Sequence, residues 1–340
     1  MFSGESRRDP ALEDPSAGLT LIATTVVSAP APAHANDSMA ETAIGGLALT
    51  TSAEVVMESE ELFVSEEKIT VDYVFTNTST KDIETLVAFP LPDVVNGPED
   101  VHRPDFAKDL NFRTTIDGRP AELKLVQTAT VKGVDVTALV TAAGLPLIAD
   151  PEFEEKVKAL APDVLKGLVG AGAVKNDGDA ANPYWNAHWT TRTTVTRTQV
   201  FPAGKSIRVS HAYEPFVGGS VGSILMPSLR SQPEMRKEIA AYRAEFCIDE
   251  SFVKGFDAAR GKAKDALQPD LWIGYVLTSG ANWSGPIRHF RLVVDKGDPN
   301  NLVSFCATGV KKIAPTRFEV VYENFTPKQD LNVLIVRPPQ

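Results

Sequence analysis

The sequence has few of the residues that build metal centres and redox sites. Its 340 residues include two cysteines, Cys247 and Cys306, and five histidines. The cysteines form no C-x-x-C motif, and no histidine pair accompanies them, so neither zinc binding nor thiol redox chemistry is indicated. No two histidines after residue 35 stand two or four positions apart. We therefore expect no metal and no cofactor.

Positive charge and long apolar runs are also scarce. The net charge is −10 and no long basic run occurs, which argues against nucleic-acid and anionic-membrane partners, because both need clustered lysine and arginine. A membrane-spanning helix needs about 20 consecutive apolar residues, and no such run is present. We expect no transmembrane segment.

Residues 1–35 have the features of a cleaved signal peptide. Two arginines precede a short apolar run, and Ala33 and Ala35 form the small-x-small pattern of a cleavage site, so Asn36 would begin the mature chain. Nearby acidic residues do not suit the basic start of such a peptide. We therefore expect translation to begin downstream of Met1, and the product to be periplasmic or secreted.

The predicted export affects the expected state of the two cysteines. In an oxidising compartment a pair of cysteines favours one disulfide, here Cys247–Cys306, over two buried thiols.

Alternating apolar residues predict a mainly β (α+β) fold. The clearest half-buried strand is Lys68–Asn77, and Asp117-Gly118 is a turn between two weaker strands. These patterns predict a β-sandwich-like domain over residues 36–225. A capped helical pattern predicts an insert in it at about 150–170.

Two further strands, Trp189–Phe201 and Ser206–Tyr213, flank the turn sequence Pro202-Ala203-Gly204-Lys205 and predict a β-hairpin. In that hairpin, His211 would lie opposite about Thr196. Because His211 falls on an apolar face, we interpret it as a hydrogen-bonded core histidine rather than a metal ligand.

After residue 225 the apolar spacing becomes helical and then returns to short strands. Met235, Ile239 and Tyr242 fall on one helical face, and buried strands follow over residues 271–336. We therefore expect a smaller, helix-flanked β domain over residues 226–340.

Several stretches resemble a family of exported bacterial proteins known as domain of unknown function 4424. They are Asn36-Asp37-Ser38, Gly45-Gly46-Leu47, Asn77-Thr78-Ser79, Val87-Ala88-Phe89-Pro90-Leu91-Pro92, His211-Ala212-Tyr213-Glu214-Pro215, Asn282-Trp283-Ser284-Gly285-Pro286-Ile287, Leu302-Val303-Ser304-Phe305-Cys306, Lys312-Ile313-Ala314-Pro315-Thr316, Phe318-Glu319 and Phe325-Thr326-Pro327. They extend over the whole mature chain. The resemblance implies export to a Gram-negative periplasm and a β-rich body, and it brings no catalytic residues.

One motif suggests catalysis. Gly218-Gly219-Ser220-Val221-Gly222 fits G-x-S-x-G, the serine elbow of α/β-hydrolases, and Asp249 or Asp270 followed by His289 would give the order of the triad. However, a proline stops the chain soon after Gly222, where the elbow requires a helix. The parallel βαβ pattern of that fold is also missing. A glycine-rich strand end explains the same residues.

The tryptophans offer a second candidate site. Trp185, Trp189 and Trp283 could form an aromatic platform for a sugar or a peptide. Trp185 and Trp189 stand four apart on a presumed strand and would project to the same side. Burial of all three in the core is the alternative.

Two classes of function remain open. By elimination we favour a non-enzymatic binding or envelope interaction module, whose partner is a small molecule or an envelope component. The alternative is a serine hydrolase that uses Ser220 with His289 as the base.

Overall fold

The computed structural model describes residues 37–43, 46–97, 110–179, 181–261 and 266–339. The predicted signal peptide, residues 1–35, and Asn36 lie outside these ranges. Within them strands predominate over helices, so the predicted mainly β (α+β) fold is confirmed.

The first sheet has seven strands and contains the beginning of the described chain. Its strands are β1 (Ser38–Ala43), β2 (Gly46–Thr50), β5 (Ile83–Pro90), β6 (Val94–Val95), β9 (Lys124–Val131), β10 (Val134–Asp135) and β13 (Thr190–Phe201). They lie in the order β10-β9-β13-β5-β1-β2, and β6 also pairs with β13. The long central β13 turns one face inward, with Val195 and Phe201 in the core, and the other face outward.

The second sheet has eight strands and draws on both halves of the chain. Its strands are β3 (Val55–Val64), β4 (Ile69–Asn77), β7 (Arg113–Ile116), β8 (Arg119–Pro120), β14 (Ser206–Tyr213), β17 (Ile287–Asp295), β19 (Lys311–Lys312) and β20 (Arg317–Phe325). Their order is β19-β20-β17-β3-β4-β14-β7-β8, and the pairing of β17 with β3 is parallel.

The inner faces of these two sheets form the core of a β-sandwich. The inward residues of β4 follow the predicted alternation, since Ile69, Val71, Tyr73 and Phe75 are all fully buried. The ring of Phe75 meets that of Phe201 from the opposite sheet, with centroids 5.9 Å apart. Period-two patterning of this kind buries one face of each strand.

β13 and β14 do not form the predicted hairpin. β13 pairs with β5 and β9 in the first sheet, whereas β14 pairs with β4 and β7 in the second. The turn between them is bound instead to the β4–β5 connection, where Asn77 Nδ2 donates to Phe201 O (2.8 Å) and Gly204 N donates to Ser79 O (3.1 Å). The prediction was wrong because alternation identifies the buried face and not the partner strand. The two strands consequently face each other across the sandwich.

A third sheet of four strands closes one side of the core. Its strands are β15 (Val217–Ser220), β16 (Asp270–Tyr275), β18 (Leu302–Phe305) and β21 (Leu331–Val336), in the order β15-β16-β21-β18. Because β17 and β20 belong to the second sheet, strand pairing crosses the predicted boundary between residues 225 and 226. The division into domains 36–225 and 226–340 stays a prediction.

The helices form two groups. α1 (Thr137–Ala142), α2 (Phe153–Lys158) and α3 (Pro162–Gly170) make the predicted insert, which begins earlier than residue 150. They pack on Trp189, beside a small two-stranded sheet of β11 (Val174–Asn176) and β12 (Trp185–Ala187). α4 (Pro227–Arg230), α5 (Arg236–Glu245) and α6 (Glu250–Arg260) lie near the third sheet. In the described part of the chain, no helix has the length and apolar character needed to cross a membrane.

A disulfide joins Cys247, after α5, to Cys306, after β18. Beside it, the Ser304 hydroxyl donates to Phe246 O (2.8 Å). The covalent bond and the hydrogen bond together hold the end of α5 against the third sheet.

Replacing both cysteines with serine is expected to lower the free energy of unfolding by about 4 kcal/mol, the chain-entropy value for a sequence separation of 59 residues. Guanidinium unfolding of the variant and of the oxidised wild type measures the difference. Reduced wild type is the matched control and is expected to unfold with the variant. Equal stability of the variant and the oxidised protein would contradict this contribution.

Candidate functional site

Ser220 ends β15, at the edge of the third sheet. Its hydroxyl donates to Gly222 O (2.8 Å), within its own turn. The next helix, α4, begins only at Pro227, so no helix follows the serine directly. The strand-to-helix elbow that would expose a nucleophile is therefore not formed.

The other residues of the candidate triad are engaged elsewhere. His289 lies on β17 in the second sheet, with Nδ1 2.8 Å from Glu323 Oε1. Asp249 caps α6 and accepts from Phe252 N (2.7 Å). Among the described residues, no hydrogen bond links Ser220 to His289 or to Asp249, so the structure does not assemble these three side chains into a charge-relay system.

Asp270 is the alternative acid and lies opposite Ser220 in the β15–β16 register. It is almost fully buried and accepts a hydrogen bond from the Tyr242 hydroxyl (2.7 Å). Burial raises the pKa of Asp270, and the hydrogen bond from Tyr242 opposes that rise. Its partner is a helix residue and not a histidine, so it orients no catalytic base.

Close packing accounts for the glycines of the G-x-S-x-G sequence. A Cβ at Gly218 would overlap the indole of Trp272, and one at Gly219 would lie 3.1 Å from Asp270 O. At Gly222 a Cβ would be 3.1 Å from the Leu267 side chain. Glycine in a strand commonly marks such close approach, and this explanation involves no catalysis.

The three tryptophans do not share a surface. Trp189 is buried against the helical insert and donates to Leu147 O (2.7 Å). Trp283 is buried in the main core and donates to Asp37 O (2.6 Å). Trp185 is half-buried at the margin of the helical cluster. Two of the three indoles are therefore inaccessible to a ligand in this structure.

Sequence reasoning did not identify a group of buried charged residues between the first two sheets. We call Asp37, Arg197 and His211 the buried charged centre. Arg197 donates to both carboxylate oxygens of Asp37, with Nη1 2.9 Å from Oδ1. His211 Nε2 lies 3.2 Å from the same Oδ1, a close contact outside hydrogen-bonding geometry, and its Nδ1 is 2.7 Å from Thr114 Oγ1.

The electrostatics of the buried charged centre favour an ionised Asp37 beside a neutral His211. Burial acts to raise the pKa of Asp37, but the charge of Arg197, the largest opposing cause, helps to hold that pKa well below its usual range. Burial lowers the pKa of His211, and Asp37 opposes this only in part. Breaking one side of such a pair usually costs about 3–5 kcal/mol, because the remaining charge stays buried.

Two tyrosines extend this polar region. The hydroxyls of Tyr73 and Tyr275 lie 3.0 Å apart, and Tyr275 donates to Glu60 Oε1 (3.3 Å). Burial raises the pKa of both tyrosines well above the usual value. Since these side chains and those of the buried charged centre are sealed from solvent, their arrangement fits a structural role rather than substrate binding.

The cavity on the outer face of the first sheet is open to solvent. It measures about 160 Å³ and we call it the threonine cavity; its lining residues are Val126, Thr128, Thr130, Gly133, Asp135, Arg192 and Thr194. Arg192 is fixed by Asp93, with Nε and Nη2 each 3.2 Å from a carboxylate oxygen. These seven residues include threonine hydroxyls but no histidine or lysine that could activate them as nucleophiles.

In the part of the chain that the structure describes, no group of three or more histidine, cysteine, aspartate or glutamate side chains could hold a metal ion.

Comparison with known proteins identifies the family. The sequence model of a domain of unknown function, DUF4424, matches residues 35–334. The chain belongs to this family. Three of the stretches that carry its resemblance meet at the buried charged centre: Asp37 contacts His211, Trp283 donates to Asp37 O, and Asn282 donates to Ser38 Oγ (2.9 Å). This DUF4424 chain thus joins distant parts of its sequence around Asp37.

No curated protein matches this DUF4424 chain. A solved structure from Legionella pneumophila, provisionally described as a nutrient binding protein, is similar at 14% identity and a TM-score of 0.42. The alignment covers 89% of this chain and 70% of that one.

The His211→Gln variant is expected to flatten the pH dependence of stability between pH 7 and 5. In the wild type the folded-state pKa of His211 is lowered, so its contribution is complete above the unfolded pKa of about 6.5 and is lost as pH falls. Urea unfolding at a series of pH values measures this slope. His289→Gln, at an exposed position, controls for the substitution itself. An unchanged slope in His211→Gln would contradict the buried, neutral state.

Fluorophosphonate labelling is expected to leave the mass of the DUF4424 chain unchanged, because the Ser220 hydroxyl donates to Gly222 O and, within the described ranges, makes no hydrogen bond to a histidine or a carboxylate. Intact mass spectrometry measures labelling, with Ser220→Ala as the control. A one-probe adduct that disappears in Ser220→Ala would establish a serine nucleophile.

Proposed function

We propose that this DUF4424 protein is an exported, non-enzymatic binding module of the bacterial periplasm, with the threonine cavity as its ligand site. The signal-peptide features of residues 1–35 support export. The half-exposed Cys247–Cys306 disulfide supports it independently, since such a bond persists in oxidising compartments and is rare in the cytosol.

The observation that carries the binding role is the fixed arginine of the threonine cavity. Asp93 holds the Arg192 guanidinium through two hydrogen bonds on the outer face of the sheet, yet 47% of its side chain stays exposed. Preorganised polar groups on a rigid strand lower the entropic cost of binding. In contrast, Asp37 and His211, whose pKa values are both lowered, are sealed in the core.

No observation on the described residues favours the serine hydrolase as a second function. Ser220 donates to its own turn, and the glycines around it are explained by packing. We therefore do not advance the serine hydrolase as a second candidate. Trp189 and Trp283 are buried, and the proposed ligand site includes none of the three tryptophans of the predicted platform.

Production of the full chain in a Gram-negative host is expected to yield periplasmic protein that begins at Asn36 and retains a small ligand. Native mass spectrometry of the periplasmic extract measures the start, the disulfide and the ligand together. Arg192→Gln is expected to retain less ligand, whereas Arg208→Gln, an exposed arginine on the second sheet, is the matched control.

Two results would contradict the proposal. Protein that stays in the cytoplasm with residues 1–35 attached would contradict export. Ligand-free spectra, or equal ligand retention in Arg192→Gln and Arg208→Gln, would contradict binding at the threonine cavity.

A further inference from the structure

The threonine cavity carries charges of both signs that do not neutralise each other. Arg192 forms its ion pair with Asp93, and the Asp135 carboxylate accepts from Thr137 N (2.7 Å). Among the described residues, Arg192 Nη1 makes no hydrogen bond. Each charged group is therefore held in position by a neighbour and keeps hydrogen-bonding capacity for a ligand.

The strand register fixes how far apart these charges stand. Asp135 on β10 is paired with Thr130 on β9, and Arg192 on β13 is paired with Thr128, two residues along β9. Two strand spacings sideways and two residues along the strand give a Cα separation of about 12 Å. Side chains of paired residues point to the same face, so both charges border the cavity on the outer face, with the hydroxyls of Thr128 and Thr130 between them.

This lining discriminates between classes of small ligand. A simple anion could bind Arg192 but would leave the Asp135 carboxylate without a ligand partner, and a simple cation could bind Asp135 but would leave Arg192 Nη1 without one. The lining contains no aromatic ring on which a sugar could stack. A volume of about 160 Å³ is also below the roughly 300–1,000 Å³ of sites for drug-sized ligands. A small molecule with one charge of each sign satisfies all of these conditions.

We propose that the threonine cavity binds a zwitterion of dipeptide size, with its carboxylate on Arg192 and its ammonium group on Asp135. An extended dipeptide spans about 7 Å, which fits a 12 Å separation between Cα atoms once both side chains reach inward. Arginine is suited to the carboxylate because its planar guanidinium presents several donors in a fixed geometry. This assignment rests on the proposed function, since it names the ligand class of the same site.

Glycylglycine is the appropriate probe because it carries both charges and no side chain. Calorimetric titration of the mature protein, from Asn36 onward, is expected to show saturable binding of glycylglycine. N-acetylglycylglycine, which lacks the ammonium group, and glycylglycine amide, which lacks the carboxylate, are expected to bind at least tenfold more weakly. Glucose is expected not to bind.

Matched variants test which side chain binds each charged group of glycylglycine. Arg192→Gln and Asp135→Asn are each expected to weaken glycylglycine binding about tenfold or more, the usual effect of losing a charged hydrogen bond. Arg208→Gln is the control for the arginine. Asp82→Asn is the control for the aspartate, because Asp82 likewise accepts a backbone hydrogen bond, from Ala203 N (2.8 Å). Both controls are expected to bind like the wild type.

Failure of this assignment is distinguishable from failure of the proposed function. Absence of glycylglycine binding would overturn the assignment of a zwitterion as the ligand. Equal binding of the singly charged probes would overturn it too. If one of those other probes binds and Arg192→Gln abolishes its binding, the cavity remains the ligand site with a different ligand class. Glycylglycine binding that survives both cavity variants would overturn the placement of the ligand.

Discussion

The buried Asp37 carboxylate is the group through which polar contacts connect the two large sheets, because it is ion-paired with Arg197 of the first sheet and contacts His211 of the second. Asp37 immediately precedes β1, while Arg197 lies on the inner face of β13. Both side chains are sealed in the core, where an unpaired charge is very costly and a pair is tolerated only with good geometry. His211 reaches the same carboxylate from β14, in the opposite sheet. One short segment is thus held from both layers of the sandwich.

The positions of the polar groups are the reason for proposing a binding role. Asp37 and His211, whose pKa values are both lowered, are buried in the core and have no route to a substrate. The polar groups that solvent can reach, such as Arg192 and His289, are paired with carboxylates and lie on rigid strands. A perturbed pKa marks a functional site only where it coincides with access, and here the two are separated.

The sequence predicted correctly those features of the structure that residues close together in the chain determine. The alternation in Lys68–Asn77 correctly predicted which residues of β4 are buried, and two cysteines in a chain predicted to be exported were enough to predict their disulfide. The hairpin failed because the turn Pro202–Lys205 is equally compatible with strands that pair and with strands that cross between sheets. The buried charged centre could not be predicted either, since Asp37 and Arg197 are 160 residues apart and no local pattern links them. The glycine-rich turn at Ser220 suggested a catalytic elbow, although the nearby indole of Trp272 leaves no room for a Cβ at Gly218.

The parallel pairing of β3 with β17 bears on when this protein can fold. Arg288 at the start of β17 donates to Glu58 on β3, a residue 230 positions earlier. The centre of the second sheet therefore cannot be completed until β17 has left the ribosome, when most of the chain has been made. Pairings between such distant strands form slowly, because the loop between them must be closed before the contacts compensate for its lost entropy. During most of its synthesis this chain therefore carries an open strand edge at β3, because β17 and β20, which will cover that edge, have not yet been made.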